Sequence, residues 1–145
     1  MGRPSRAFVA GLVLAAALPA AGAYEPQVNY QLQCMGCHLA DGSGAADRVP
    51  SVRRTLVLFS ASPEGRRYLL QVPGVAQSSL SDEETADVLN WMMRTLSDVP
   101  LQRHIAAYTA REVGRFRHQP LAEVGAIRAR LLKSADTGPL SGRCR

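Results

Sequence analysis

The chain has 145 residues, 46% of them hydrophobic and 20% charged, and a formal net charge of +5 with histidine neutral. After removal of an export signal, that length holds one small domain and an addition. The basic excess comes with only 6% aromatic residues and no interleaved basic–aromatic pattern, which argues against nucleic acid as a partner.

The export signal comes first in chain order. Arg3 and Arg6 give a positive start, Ala7 to Leu18 forms an apolar run, and Ala21-Gly22-Ala23 offers a small-x-small cleavage site. The run is short for a bilayer span and ends at Pro19, so residues 1–23 read as a signal peptide cleaved after Ala23; an uncleaved anchor is the alternative. The mature chain then begins at Tyr24 in an oxidising compartment, most simply a bacterial periplasm, and any membrane association is expected to be peripheral.

Gln27 to Gln33 contains no Gly or Pro and predicts a short helix. It runs into Cys34-Met35-Gly36-Cys37-His38, a Cys-x-x-Cys-His motif that reads as the attachment site of one covalent c-type haem. Two thiols one turn apart can add to the two vinyl groups of a porphyrin, and the following imidazole is then held below the iron as proximal ligand. A bare Cys-x-x-Cys also serves thioredoxin-like and zinc sites. The first needs a βαβ context that is absent around Cys34, and the second needs another ligand pair. Only Cys144, His104 and His118 remain, at no zinc-site spacing. Cys144, next to last in the chain, is left as an odd thiol.

Asp41-Gly42-Ser43-Gly44 marks a turn, with irregular chain expected to Pro50. Ser62-Pro63-Glu64 starts a helix, Ser62 as N-cap and Pro63 at the first position, running to about Val72. Ser81-Asp82-Glu83-Glu84 is a capping box opening another helix. That helix aligns Ala86, Leu89, Met93 and Leu96 on one stripe, with Val88 and Met92 beside it. Thr109-Ala110-Arg111-Glu112 is a further capping box, opening a helix to about His118. Pro120 restarts a last helix through Leu132, with Leu121, Val124, Ile127 and Leu131 at helical spacing. No stretch alternates strongly enough to argue for a sheet, so the expected class is all-α.

Charge divides the mature chain. Residues 24–99 hold six arginines against nine acids, a net of −3, whereas residues 100–145 hold eight arginines and one lysine against three acids, a net of +6. A basic tail on a weakly acidic body suits docking to an acidic face, and equally suits a solvated helical surface.

The helix into Cys34–His38, Asp41-Gly42-Ser43-Gly44, Val49-Pro50-Ser51-Val52 and the helix opening with Leu80-Ser81-Asp82-Glu83-Glu84 together resemble the class I cytochrome c family. The resemblance covers residues 24–98 and leaves 99–145 as a basic helical extension. It implies a helix-and-loop domain around one haem. In that family a proline a dozen residues past the proximal histidine offers its carbonyl to the imidazole's other nitrogen, and Pro50 matches that place. Trp91 matches an aromatic that packs where the first and last helices cross. The segments Leu80 to Met92 and Tyr108 to Val113 also look like small cytochromes that accompany periplasmic quinoprotein or amine dehydrogenases.

One departure stands out. The family takes its distal methionine from the loop before the last helix, and here residues 72–79, Val-Pro-Gly-Val-Ala-Gln-Ser-Ser, contain none. Met92 is then the first candidate for the sixth iron ligand and Met93 the second, although methionine on a helical stripe ordinarily fills a core. His104, His118 and a vacant position are further alternatives. The expected function is single-electron transfer from a periplasmic dehydrogenase to an oxidase or another cytochrome, by a carrier that is not itself an enzyme. A haem enzyme or ligand sensor with an open sixth position, and a permanent cytochrome subunit of a dehydrogenase, are the competing readings.

Overall fold

A computed structural model describes residues 24–45, 48–100 and 105–137. Residues 1–23, expected to be a signal peptide, and His104 and Cys144 lie outside the described residues. Seven helices and no strand are found among them, so the chain is all-α.

The first helix, α1 (Pro26–Gln33), starts on a proline at its first turn and ends at Cys34, whose N–H donates to Tyr30 O. It leads into a cross-bonded loop rather than free irregular chain. Leu39 N–H donates to Ser43 O at 2.7 Å, His38 and Gly44 form an isolated antiparallel bridge, and Val52 N–H donates to Gly42 O at 2.9 Å. Gly42 has φ +82°, a left-handed conformation that glycine adopts without steric cost.

Two helices lack a clear sequence signal. The second, α2 (Thr55–Ser60), buries Leu56, Val57, Leu58, Phe59 and Ser60 together. A helix apolar all round has no amphipathic period to betray it. The fourth, α4 (Pro73–Ala76), is one turn inside the segment expected to be loop, begun by Pro73 at its first position after an extended Val72.

The third helix, α3 (Pro63–Gln71), starts as expected, with Ser62 Oγ accepting from Gly65 N–H at 3.1 Å. The fifth, α5 (Asp82–Thr95), carries both halves of its capping box: Ser81 Oγ accepts from Glu84 N–H, and Ser81 N–H donates to Glu84 Oε2 at 2.8 Å. Its stripe of Ala86, Val88, Leu89, Met92 and Met93 is buried. α1 and α5 cross, and there the Tyr30 and Trp91 rings meet with centroids 5.4 Å apart.

The sixth helix, α6 (Ala110–Phe116), differs from its expected capping box. Thr109 Oγ1 accepts from Glu112 N–H at 3.2 Å, but the Glu112 carboxylate does not return to Thr109. It is taken by Arg66 of α3, whose Nε and Nη2 each donate to one carboxylate oxygen at 2.6 Å. A bidentate, charge-assisted pair outcompetes a single bond to a neutral amide. The seventh helix, α7 (Val124–Thr137), begins four residues after Pro120 and runs past Leu132. Leu121 N–H donates to Gln71 O at 2.9 Å, which ties that stretch to the end of α3.

The extension folds back on the body. α6 packs on α5 and α3, and α7 packs on α2 and α3. Val113 and Leu131 are buried, with Leu121, Val124 and Ile127 packed against the same core. The stripe read from the sequence is therefore covered within the chain.

Candidate functional site

α1 delivers Cys34 and Cys37 to the mouth of a cavity of about 440 Å³. His38 lines it from the same loop. Phe59 of α2, Tyr68 of α3 and Met92 of α5 form much of the remaining wall. The volume lies in the range of pockets that enclose small cofactors. Polar groups are few on this wall, so a flat apolar ring would be shielded from water on most sides.

Both cysteines are free thiols, Cys34 half-buried and Cys37 exposed. Burial, and secondarily the neighbouring Cys37, push the Cys34 thiol up to about 11. Burial lowers the His38 imidazole below its usual range, which favours the neutral ring that a metal ligand requires. The Tyr30 hydroxyl donates to Leu39 O at 2.6 Å and so pins the backbone just after the histidine.

His38 Nδ1 is buried without a hydrogen-bond partner among the described residues. The expected bond to the Pro50 carbonyl is thus not formed in this structure, although Pro50 does line the cavity. The bridge between His38 and Gly44 draws the loop in close to Val49 and Pro50. A Cβ on Gly44 would collide with Val49 O and lie 2.7 Å from Pro50 C. The ring and the proline share a wall, but the nitrogen has no acceptor there.

The two methionine candidates separate cleanly. Met92 lies on the cavity wall, whereas Met93 is buried in the core and does not line it. Met35 is partly exposed beside Cys34 and is not on the wall. Trp91 sits at the α1–α5 crossing, away from the cavity. His118 is largely exposed, with Nε2 3.7 Å from Asp82 Oδ1, far from the role of an enclosed ligand.

Sequence reasoning missed the contribution of the extension to this wall. Val124 and Arg128 of α7 line the cavity alongside residues of the body. The apolar spacing of Leu121, Val124, Ile127 and Leu131 announced a buried face, but nothing in it named the surface that the face would cover.

These features fit a covalent haem: two thiols at the mouth, a half-buried imidazole held towards its neutral form beside them, an orphaned ring nitrogen and an apolar chamber behind. No protein-family model matches the chain. It is similar to cytochrome c-552 of Thermus thermophilus, 30% identical over 107 residues, covering 61% of this chain and 82% of that protein. A second cytochrome c-552 of the same species gives the same identity, with 72% of its own length covered. Identity at that level, spread over most of a relative, makes this chain a member of the c-type cytochrome family.

Proposed function

We propose that the chain is a monohaem electron carrier of a periplasmic respiratory chain, taking electrons from a dehydrogenase and passing them to an oxidase or another cytochrome. The observation that carries it is the opening of the Cys34–His38 loop onto an apolar chamber. The relatives are cytochromes by name, which supports electron transfer rather than catalysis.

In this reading Cys34 and Cys37 would hold the haem as thioethers. His38 and Met92 would ligate its iron, Met92 being the methionine on the wall. The bound haem supplies a one-electron couple. The chain's own residues orient it, exclude water with α2, α3 and α5, and keep the imidazole neutral. Residues 24–98 form the haem-binding body and 99–145 an extension that completes it. Leu32, Met35 and Leu39 are exposed around the attachment loop, and such a small apolar patch suits brief redox contacts. The extension spends its apolar stripe on its own body, which weighs against a permanent subunit interface there.

A second reading has its own support. The 72–79 segment presents Val72, Pro73, Gly74, Val75 and Ser78 to the cavity, none of them a strong iron ligand. If Met92 does not coordinate, a position on the haem iron would be left open to small gases. Optical spectra of the exported protein, with Met92→Leu and Met93→Leu alongside, decide between them. The weak long-wavelength band of an iron–thioether bond, lost only in Met92→Leu, supports the carrier with Met92 ligation. A high-spin wild type that takes up carbon monoxide overturns that ligation and favours the gas-binding site.

A further inference from the structure

Arg128 of α7 stands on the cavity wall, half-buried. Other arginines around it have carboxylate partners: Arg66 pairs with Glu112, Arg117 lies 3.0 Å from Asp82, and Arg130 pairs with Glu64. No ion pair or hydrogen bond to a carboxylate is formed by Arg128 among the described residues. Tyr68, also on the wall, is its electrostatic neighbour. Burial raises the Tyr68 phenol and Arg128 pulls it back. Arg48, the other arginine of the wall, is exposed to water and has less need of a partner.

A guanidinium partly withdrawn from water beside an apolar chamber is unfavourable unless an anion meets it. Haem c carries two carboxylates, and a guanidinium presents the planar fork that fits one. Resting on the haem assignment above, we infer that Arg128 binds a propionate of the haem and raises its reduction potential, so that the extension takes part in tuning the redox centre. A positive charge held near the iron, and a propionate charge neutralised by it, both disfavour the more positive ferric state. Val124, one turn earlier on the same helix, packs against the core and fixes the helix face from which Arg128 reaches in.

The test is potentiometric titration and resonance-Raman spectroscopy of exported holoprotein, as wild type, Arg128→Gln, Arg128→Lys and Arg130→Gln. Arg130 is on the same helix, exposed and turned to Glu64. Its loss removes the same charge from the same element without touching the wall. The expected result is a lower potential and a shifted propionate-bending band in Arg128→Gln, potential largely restored in Arg128→Lys, and no change in Arg130→Gln. Equal potentials and identical bands in wild type and Arg128→Gln overturn the inference, as does an equal fall in Arg130→Gln. Should the glutamine variant not mature, a propionate band in Arg128→Lys identical to wild type overturns it, and a shifted band supports it. Failure of wild type to yield a covalent haem spectrum would instead sink the haem assignment on which the inference stands.

Discussion

Asn90 holds both main-chain polar groups of Tyr108: its Nδ2 donates to Tyr108 O at 2.9 Å and its Oδ1 accepts from Tyr108 N–H at 2.8 Å. One carboxamide on α5 thereby supplies the backbone of the incoming extension with the partners that a sheet neighbour would. Both residues are buried, at 8% and 3% exposure, so neither peptide group could turn to water instead. Asn90→Leu leaves a donor and an acceptor unsatisfied and is expected to cost about 2–4 kcal/mol. Urea unfolding of the holoprotein checks this. A loss below about 1 kcal/mol would mean that water replaces the carboxamide.

Tyr108 is held at its other end by a 2.8 Å hydrogen bond between its hydroxyl and Ser60 Oγ, with the Arg66 guanidinium 4.0 Å above its ring. Burial pushes its phenol up to about 12. Between the ordinary tyrosine value of 10 and that figure, the folded chain keeps a proton that the unfolded chain has lost. Its contribution is therefore complete below pH 10 and declines as pH rises through the window. Tyr108→Phe loses the Ser60 bond, for a cost of about 1 kcal/mol at pH 8, but also removes this titration. The gap between wild type and variant is expected to shrink by about 1 kcal/mol between pH 9 and 11. A gap that stays constant over that range would show that the phenol ionises freely in the folded chain.

The sequence was most legible where a local rule and the tertiary structure agree. Ser62 and Ser81 cap their helices because each hydroxyl has an amide N–H within one turn and no stronger competitor. Cys34, Cys37 and His38 could be read together because they are contiguous in the chain, and all three line one cavity. Thr109 was only half right, since a long-range arginine claimed Glu112. α2 was invisible because a helix buried on all sides carries no period. Pro50 was matched by resemblance to an acceptor for His38; it does line the cavity, but that bond depends on loop geometry that no spacing encodes, and it is not formed. Arg128 illustrates the same limit: charge count predicted a basic tail, but which arginine turns inward is decided by how α7 lands on α2 and α3.

Arg117 joins the extension to the start of α5. Nη2 donates to Leu80 O at 2.6 Å, Nη1 donates to Thr85 Oγ1 at 2.5 Å, and Nε lies 3.0 Å from Asp82 Oδ1 in an ion pair without hydrogen-bond geometry. Leu80 and Thr85 both line the cavity, so this side chain braces the wall from behind. Arg117→Met fills the volume but strips a buried carbonyl and hydroxyl of their donor. The expected loss is about 3 kcal/mol, together with a broadened haem spectrum as the wall loosens. Arg117→Lys is expected to recover little, because one ammonium cannot reproduce the planar fork. Full recovery with lysine, read by urea unfolding of the two variants, would reduce the role of Arg117 to net charge.

Two glycines of the ligand loop make opposite predictions. A Cβ on Gly44 would overlap Val49 O and crowd the backbone of Pro50, whereas one on Gly36 meets nothing within 4 Å. The obstacle at Gly44 is the main chain of Val49 and Pro50, so it cannot swing aside as a flexible side chain would. Gly44→Ala is expected to destabilise the holoprotein by about 3 kcal/mol or more and to disturb the proximal ligand, seen as a mixed-spin spectrum. Gly36→Ala is expected to change stability by less than about 0.5 kcal/mol and to leave the spectrum as in wild type. If both variants matured with wild-type spectra and melting points, the close approach of the Gly44 backbone to Val49 would not be what holds His38 at the cavity.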